Sequence, residues 1–335
     1  MMPGVDIVVV TFESRAHIGA CLDSIAASEY DGPISAVVVD NASNDGTADL
    51  VRAHPSAVRL IENARNRGFA AACNQGIRAT TGGFVLLLNP DARLEPDTVA
   101  RLVGHLVAHP RAAIAGPKLL QPNGDLQRDI SATGLYPSFL QALFEYTRLG
   151  RLFPGARWHR DYFLSGWDRR STRRVAMVQG ACLMVRRPVL RDLGGLDERY
   201  FLYFEETDLC KGAADAGLEI HYVGDASATH VGSQSMIGSR QSARHFIASL
   251  YRFHRKHYGF AEAASLWLVL AAAHGLRTAR LAALAPWRPR DEALRADLRT
   301  ARERFAAHGS LLVDSLPHAS GPMGSRRSAG DPCPR

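Results

Sequence analysis

One candidate for chemistry is Asp91, which comes directly after the apolar run FVLLLN at residues 84–89. Asn89, Pro90 and Asp91 are of the types that end a strand in a turn, so a purely structural role is one interpretation. The other interpretation is that a carboxylate at the end of a buried strand holds Mg²⁺ or Mn²⁺. Such an ion needs only one or two protein carboxylates, and it neutralises a diphosphate leaving group.

A second candidate is the acidic cluster in FEETDLC, which places Glu205, Glu206 and Asp208 within one turn of a helix predicted over 198–217. Like charges this close raise one another's pKa, and a carboxylate with a raised pKa can act as a base near neutral pH. Acids in the first turn of a helix are also stabilised by the helix macrodipole, which gives the cluster a structural interpretation. The two roles are compatible, because different acids of the cluster can fill them.

Three further positions carry weaker signals. Asp40 ends the apolar run VVVD, where an acid can hydrogen-bond a nucleotide or cap a turn. Gly68, in NARNRGFAAACNQGI at 63–77, permits close backbone approach to a phosphate or sugar, although Asn-Arg-Gly is also an ordinary turn. His230 follows a predicted strand and could bind the same metal or a phosphate, although a lone histidine is more often structural.

Several other kinds of site are excluded by the sequence. The turn after the first predicted strand reads TFESRAHIG and lacks G-x-G-x-x-G, so NAD or FAD binding is not expected. No G-x-x-x-x-G-K-[ST] motif is present, which excludes a P-loop ATPase. The five cysteines are widely spaced without a Cys-x-x-Cys pair, so we expect reduced structural thiols in the cytoplasm rather than disulfides or a zinc site.

Four short apolar runs in the first 120 residues predict the elements that position these groups. Helical patterns separate the runs, and each run lacks polar alternation, so each strand is expected to be buried on both faces. This pattern is typical of a largely parallel sheet covered by helices, as in doubly wound nucleotide-binding proteins. VDIVVV near the start is too short for a signal peptide and is interpreted as a strand. The predicted strands are 5–11, 34–40, 58–63 and 84–89, with 176–187 and 219–230 beyond an irregular region at 121–174.

The net charge of +7 is concentrated towards the C-terminus. Residues 240–305 contain 13 Lys and Arg against 5 Asp and Glu, a net +8, and helices are predicted over 241–285. Few aromatics are interleaved with these charges, so no nucleic-acid partner is expected, whereas an anionic membrane surface fits the charge. The apolar run at 264–276 is shorter than the ~20 residues of a membrane-spanning helix. A packing helix or a homodimer contact is the alternative.

The order of these segments resembles the family 2 glycosyltransferases with the GT-A fold, and within them the rhamnosyltransferase-like branch that builds bacterial cell-wall or surface polysaccharide. The resemblance rests on VVTF, VVVDNASNDGT, NxGFAxxxNxG, LLLNPDA, GACLMVRR, GGLDERYFLYFEETDLC and a late histidine, in this order over residues 5–258. It implies an α/β fold of GT-A type, with a mostly parallel central sheet flanked by helices and a C-terminal helical extension. The expected divisions are a glycosyltransferase domain at 1–239 (nucleotide-binding about 1–120, acceptor-side about 121–239), a basic helical extension at 240–305 and a disordered tail at 306–335.

The resemblance also implies roles for individual residues, all read from their places in the motifs. The nucleotide or donor sugar would contact Thr11, Glu13, Asp40, Asn66, Gly68, Asn74, Asn89 and Asp91. Asp91 would be the retained acid of the family's Asp-x-Asp metal motif, and His230 would help to bind metal or diphosphate. The acceptor side would include Gly180 and Ala181, and the catalytic acids would be Glu205, Glu206 and Asp208, with one of the two glutamates as the general base.

The implied reaction is a single inverting displacement, in which the base deprotonates an acceptor hydroxyl while the metal holds the departing nucleoside diphosphate. No covalent intermediate forms, so no Ser or Cys nucleophile is required. The implied partners are a dTDP- or UDP-type sugar, with rhamnose suggested by the branch, a glycan or polyprenyl-linked acceptor, and Mg²⁺ or Mn²⁺. The implied location is the cytoplasm or the inner face of the plasma membrane.

Two departures from the family pattern leave other functions open. Asn89 stands at the first acid of Asp-x-Asp, and Gly212 stands where relatives commonly have Arg, with Lys211 as a substitute. These departures are the only support for a non-catalytic sugar-nucleotide-binding protein, which the retained acids oppose. A sugar-nucleotide nucleotidyltransferase would share the sheet type, but it needs a Gly-rich basic loop that TFESRAHIG does not supply.

Overall fold

The computed structural model describes residues 2–56, 58–127, 132–147, 156–232, 240–288 and 291–314. Its strands are β1 Val5–Thr11, β2 Ile34–Asp40, β3 Val58–Glu62, β4 Phe84–Leu88, β5 Ala92–Leu94, β6 Ala112–Leu120, β7 Ala132–Thr133, β8 Arg173–Val175, β9 Met177–Val178, β10 Cys182–Arg186 and β11 Glu219–His230. Its helices are α1 Ile18–Ala26, α2 Thr47–Ala53, α3 Phe69–Arg78, α4 Thr98–Ala108, α5 Phe139–Tyr146, α6 Arg157–Phe163, α7 Arg187–Leu193, α8 Glu205–Asp215, α9 Arg240–His257, α10 Phe260–Leu284 and α11 Glu292–Asp314.

The central sheet has nine strands in the order β3-β2-β1-β4-β10-β6-β11-β5, with β8 also paired to β11. Six strands (β1, β2, β3, β4, β6 and β11) run in one direction, and β10, β5 and β8 run against them. A separate antiparallel pair joins β7 to β9. The predicted α/β architecture, with a mostly parallel central sheet, is confirmed.

Burial on both faces of the sheet explains why the first strands lack polar alternation. In β1, Ile7 and Val9 pack in a core with α1 and α4, whereas Val8 and Val10 pack on the opposite face with α3 and α8. Successive side chains of a strand point to opposite faces, so a strand covered twice must be apolar at every position. The continuous apolar runs of the sequence follow from this arrangement.

The parallel register brings the ends of three strands to one edge of the sheet. Thr11 pairs with Asp40, so β1 and β2 end at the same level, and β4 ends at Leu88 opposite Val9, two residues earlier at the same edge. In an open α/β sheet the crevice beyond the carboxyl ends of the strands is where ligands bind. The residues that follow these strands are therefore brought together.

Two predicted elements begin or break elsewhere than expected. The strand predicted at 176–187 is two strands, β9 and β10, separated at Gln179–Ala181. The helix predicted over 198–217 begins only at Glu205, because Tyr203 and Phe204 both adopt φ 69°. That left-handed conformation is unfavourable for a bulky side chain and cannot continue into a right-handed helix.

The C-terminal helices share a core with the loop that precedes α8. Leu250 and Phe253 of α9 and Leu266 and Leu270 of α10 form a buried cluster with Tyr200 and Phe204, which precede α8. The division expected between 239 and 240 therefore does not separate two cores. The tail expected from 306 is also wrong in part, because α11 continues to Asp314, with Ala307 and His308 buried against its neighbours. Residues 315–335 lie outside the described residues.

The prediction that the C-terminal apolar run is too short to span a membrane is wrong on length. The helix over Phe260–Trp287 has 28 residues, and its length and composition would allow it to cross a membrane. Alanines extend the apolar stretch beyond the predicted 264–276 on both sides. Only 11% of its most apolar window is buried. Among the described residues it is the one helix that meets this test.

Candidate active site

A cleft of about 580 Å³ opens at the carboxyl edge of the sheet. The loops after β1, β2 and β4 form one side, and the break between β9 and β10 and the start of α8 form the other. Ten of the fourteen predicted site residues line it, namely Glu13, Asn66, Gly68, Asn89, Asp91, Gly180, Ala181, Glu205, Glu206 and His230. The other four, Thr11, Asp40, Asn74 and Asp208, are not in its lining.

Asp91 and His230 are brought together because β5 pairs with the end of β11. His230 lies opposite Ala92 in the ladder, and Val231 donates its N–H to the Asp91 carbonyl at 3.1 Å. The Asp91 Oδ1 and His230 Nε2 atoms are 3.3 Å apart, with side chains 13% and 5% exposed. Burial raises the pKa of Asp91, but hydrogen bonds and nearby charge, those of His230 first among them, together lower that pKa below its ordinary value.

The donor atoms of this pair suit a hard or borderline divalent cation. His230 Nδ1 lies 3.2 Å from Gln127 Oε1, whereas its buried Nε2, although 3.3 Å from Asp91 Oδ1, makes no hydrogen bond of good geometry within the described structure. An imidazole whose Nδ1–H is held by a carbonyl oxygen presents a lone pair at Nε2, as metal-bound histidines do. No group of three or more His, Cys, Asp or Glu side chains in the described ranges could hold a metal. A cation here would therefore depend on other oxygens, which a diphosphate and water supply.

Glu205 and Glu206 face the same cleft from the first turn of α8. Burial and the charge of Glu206 raise the pKa of Glu205 well above its ordinary range, and burial raises the pKa of Glu206 as well. The Oε2 atom of each carboxyl group is buried without a hydrogen-bond partner among the described residues. Two adjacent carboxyls with buried oxygens cannot both ionise at low cost, so their position favours keeping a proton on the pair.

The acid pair is held in place by a strained loop and by C-terminal helices. Tyr203 and Phe204 precede it with positive φ, and such backbone persists only where the surroundings enforce it. The enforcing contacts are a 2.8 Å bond between the Tyr203 and Ser242 hydroxyls and the burial of Phe204 against α9. Gly180 lies behind the pair, since a Cβ there would be 3.4 Å from the Glu206 Cβ.

Gly68 joins this loop to the nucleotide side of the cleft. It has φ +86°, and a Cβ would lie 2.7 Å from the Phe201 carbonyl oxygen, so only glycine fits. Phe69 donates its N–H to that same oxygen at 2.7 Å, and Asn66 Oδ1 accepts the Gly68 N–H at 2.9 Å. The close backbone approach that was expected at Gly68 is therefore made to Phe201 of the same chain.

Asp40 and Thr11 lie beneath the cleft rather than in its lining. The Thr11 hydroxyl donates to Asp40 Oδ1 at 2.8 Å, and Ser43 donates its N–H and hydroxyl to the same carboxylate at 2.9 and 2.6 Å. Both side chains are almost fully buried. Their observed task is to fix the loop after β2, where Asn41 lines the cleft in place of Asp40.

Asn74 and Asp208 also hold other elements in position. Asn74 exchanges hydrogen bonds with the backbone of Leu196, as donor at 2.8 Å and acceptor at 2.9 Å. Asp208 lies 2.7 Å from both Lys256 Nζ and His257 Nε2, which ties α8 to α9. The prediction that Asp208 shares the acid site is corrected by this location, because within the first turn of α8 Asp208 faces α9, whereas Glu205 and Glu206 line the cleft.

The two departures from the family pattern lie in different places. Asn89 lines the cleft and donates its N–H to the Ala181 carbonyl at 2.9 Å, so it also connects β4 to the break before β10. Lys211 pairs with Asp215 at 2.9 Å and is not in the cleft lining, so it does not reach the cleft as the predicted substitute at Gly212.

Gln179 is a cleft residue that sequence analysis missed. It lies in the break between β9 and β10, and its Oε1 atom is buried without a hydrogen-bond partner in the described structure. Its only signal was the position before Gly180 in a run interpreted as one continuous strand. Other missed lining residues are Phe12, Ser14, His17, Asn41, Phe201 and Tyr203.

The clamp on Asp208 leads to a testable expectation. Lys256→Met leaves a buried carboxylate with one cationic neighbour fewer, so we expect a loss of unfolding free energy of about 1–3 kcal/mol, read by thermal melting. Because the clamp holds the start of α8, kcat should also fall. Lys211→Met is the control, since its partner Asp215 is 58% exposed. Equal melting temperatures for the two variants would contradict a structural clamp.

The chain is similar in sequence to known glycosyltransferases. The profile of glycosyl transferase family 2 matches residues 6–194. The N-acetylglucosaminyl-diphospho-decaprenol L-rhamnosyltransferase of Mycobacterium tuberculosis is 30% identical over 277 residues, which cover 78% of this chain and 87% of that protein.

Two solved structures share the fold. The mannosyltransferase PcManGT from Pyrobaculum calidifontis, in complex with GDP-Man and Mn²⁺, superposes with a TM-score of 0.55 at 21% identity, covering 94% of this chain and 89% of that one. GalNAc-T7 with UDP, GalNAc and Mn²⁺ gives a TM-score of 0.55 at 13% identity, covering 78% and 51%.

Proposed function

The chain belongs to glycosyl transferase family 2, and from that membership we propose that its cleft transfers a sugar, with inversion, from a nucleoside-diphosphate sugar to a hydroxyl of a polyprenyl-linked glycan. The chain is a glycosyltransferase of cell-wall or surface glycan synthesis. The observation that carries the finer proposal is the placement of Asp91 and His230 in the same cleft as Glu205 and Glu206. Asp91 and His230 suit the diphosphate of the donor, and Glu205 and Glu206 suit an acceptor hydroxyl that must lose its proton.

Glu206 is the better candidate for the general base. Glu205 is the more buried of the two, 5% exposed, and the charge of Glu206 adds to the burial that raises its pKa. We therefore assign the proton of the pair to Glu205, the more buried carboxyl, and the charge to Glu206. Glu206 takes the proton of the acceptor hydroxyl, and neutral Glu205 keeps the pair from accumulating two charges.

Asp91 and His230 would hold a divalent cation, Mg²⁺ or Mn²⁺, together with oxygens of the donor diphosphate. When bound, the ion supplies neutralisation of the charge that develops on the leaving diphosphate. The lowered pKa of Asp91 keeps its carboxylate ionised and ready for that role. Asn89 adds a neutral amide in the same wall.

No side-chain nucleophile is needed for a single displacement, and the cysteines agree with this. The four described cysteines, Cys21, Cys73, Cys182 and Cys210, are all buried. Burial also raises the pKa of each thiol, which disfavours the nucleophilic thiolate. A direct attack by the acceptor oxygen on the anomeric carbon therefore suits this cleft best.

The donor is proposed to be a dTDP- or UDP-linked sugar, with rhamnose first because of the mycobacterial relative. That relative's name specifies an N-acetylglucosaminyl-diphospho-decaprenol acceptor, which we propose in kind for this chain. The test is a panel of dTDP- and UDP-sugars with Mg²⁺ or Mn²⁺, assayed for nucleoside diphosphate release with and without polyprenyl-diphosphate-GlcNAc. We expect acceptor-dependent release with one donor class; absence of release from every donor would overturn the proposal.

Gln179 is proposed to accept a hydrogen bond from a sugar hydroxyl. Its buried Oε1 has no hydrogen-bond partner in the described structure. A hydrogen bond from a bound sugar would replace the hydrogen bond to water that this atom lost on burial. Gln179→Ala should lower kcat/KM about tenfold, the value of one neutral hydrogen bond. Gln179→Glu keeps an acceptor oxygen and should retain more activity than Ala. Equal kcat/KM for wild type and Gln179→Ala would rule out this contact.

A further inference from the structure

The outer face of α10 is apolar and exposed along its whole length. Phe260 begins α10 and Trp287 lies in the short turn directly after it, 71% and 85% exposed, and Leu268 and Leu276 lie between them at 63% and 75%. Ala261, Ala264, Ala272, Ala279 and Ala283 are exposed at helical spacing beside them. We call these nine residues the α10 face. A contiguous apolar surface of this length on a soluble domain marks a binding surface.

The opposite side of α10 is fixed inside the protein. Leu266 and Leu270 pack against Tyr200 and Phe204, in the loop that carries the acid pair. His274 is buried, with Nδ1 2.8 Å from His308 Nε2 on α11 and Nε2 3.2 Å from the Tyr146 carbonyl oxygen. A membrane-spanning α10 would have to break these contacts and carry His274 into hydrocarbon. A helix lying flat on a membrane keeps them all.

Positive charges flank the α10 face. Arg255 lies next to one end, with its guanidinium 5.8 Å from the Phe260 ring, and Arg288 follows Trp287 at the other end. Arg280 is exposed on the face itself. Arginine beside interfacial aromatics favours the headgroup region of an anionic bilayer, where a buried apolar face and basic flanks bind together. A symmetric dimer through the same face would instead bury Arg280 against apolar side chains.

We propose that the α10 face docks the enzyme in the plane of an anionic membrane, with α10 parallel to the surface. This inference rests on the proposed lipid-linked acceptor and adds the surface through which the enzyme meets it. Phe204 links the inner side of α10 directly to Glu205, so the acid wall of the cleft is one layer of side chains from the docked helix. An acceptor anchored in that membrane can then extend its sugar into the cleft.

The test is flotation of the full-length protein with vesicles of phosphatidylcholine alone or with phosphatidylglycerol. Wild type should bind the anionic vesicles, and high salt should weaken binding. Leu268→Glu with Leu276→Glu should reduce vesicle binding at least about tenfold, because the burial of each leucine side chain strengthens membrane affinity by about tenfold or more. Val107→Glu is the matched control, since Val107 is 56% exposed on α4.

Three results would overturn the proposal. They are unchanged vesicle binding by the double variant, a wild-type protein that resists extraction by alkaline carbonate as a spanning protein does, and a wild-type dimer that the double variant dissociates without any vesicle binding. Donor turnover separates this test from the function itself. The double variant should use a short-chain, water-soluble acceptor at the wild-type rate and lose activity only on the polyprenyl acceptor in vesicles.

Discussion

Replacing Glu206 with glutamine should lower kcat by about 10²–10⁴-fold, the usual contribution of a general base. Glutamine keeps the size of the side chain but cannot take the proton of the acceptor hydroxyl. Glu205→Gln should cost less, because Glu205 is proposed to stay protonated beside it. Initial rates of nucleoside diphosphate release at saturating acceptor measure both variants. Glu95→Gln, an exposed change outside the cleft, is the control.

The raised pKa values of the acid pair add two expectations. Activity of the wild type should fall as pH drops through the raised pKa of the base, and this acid limb should disappear in the residual activity of Glu206→Gln. Because the pKa of Glu205 is raised, burying this carboxyl destabilises the folded protein increasingly as pH rises above the ordinary glutamate pKa. Glu205→Gln removes that cost and should therefore melt at least about 2 °C higher than wild type at pH 8. The gain should vanish near pH 4. A lower melting temperature for Glu205→Gln than for wild type at pH 8 would contradict the assignment of buried, unpaired carboxyl oxygens to this pair.

Asp91→Ala should abolish measurable transfer, with a loss of at least about 10²-fold, because the proposed cation at the leaving diphosphate loses the carboxylate that we assign to it. His230→Ala should raise the metal concentration needed for half-maximal rate, since one neutral ligand is removed. Asp31→Ala, at an exposed position away from the cleft, controls for the change in charge.

Metal binding itself gives a second readout for the same variants. Titration of Mn²⁺ into the protein with nucleoside diphosphate, followed by electron paramagnetic resonance, should show binding in wild type and in Asp31→Ala but much weaker binding in Asp91→Ala. Full transfer activity in Asp91→Ala would remove the proposed metal site. Unchanged Mn²⁺ affinity would do the same, even if activity were lost.

The sheet was predictable from sequence because each strand carries its own continuous apolar pattern, and several strands repeat that pattern. The runs VDIVVVT and ISAVVVD are apolar at nearly every position, and only strands covered on both faces require that. The ends of such strands share one edge, so the cleft position of Asn89 and Asp91 followed from the same pattern. Asp91 thus ends a turn, as its local sequence indicates, and also faces the cleft.

The partners of buried polar groups were not predictable, because long-range packing decides them. Asp40 and Asn74 occupy motif positions that suggested ligand contact, yet their side chains bind Thr11, Ser43 and Leu196. Asp208 follows the acid pair by two residues, but its partners Lys256 and His257 lie 48 and 49 positions further along the chain. No local sequence pattern predicts such a pairing.

The start of α8 shows the same limit for backbone structure. Residues 198–204 have the composition of a helix, but Tyr203 and Phe204 are held in the left-handed region by contacts with α9 and by their own burial. Those contacts also explain why the basic C-terminal helices could not be assigned from charge alone. One side of α9 and α10 packs against the loop that precedes the acid pair, and the other side of α10 faces outward.

The most direct test of the account is the anomeric configuration of the first product. The accepted donor from the panel is incubated with polyprenyl-diphosphate-GlcNAc, and the new glycosidic bond is assigned by nuclear magnetic resonance before any secondary reaction. Direct attack by a hydroxyl activated at Glu206 predicts a configuration opposite to that of the donor. A product with the donor's configuration retained would contradict a single displacement in this cleft.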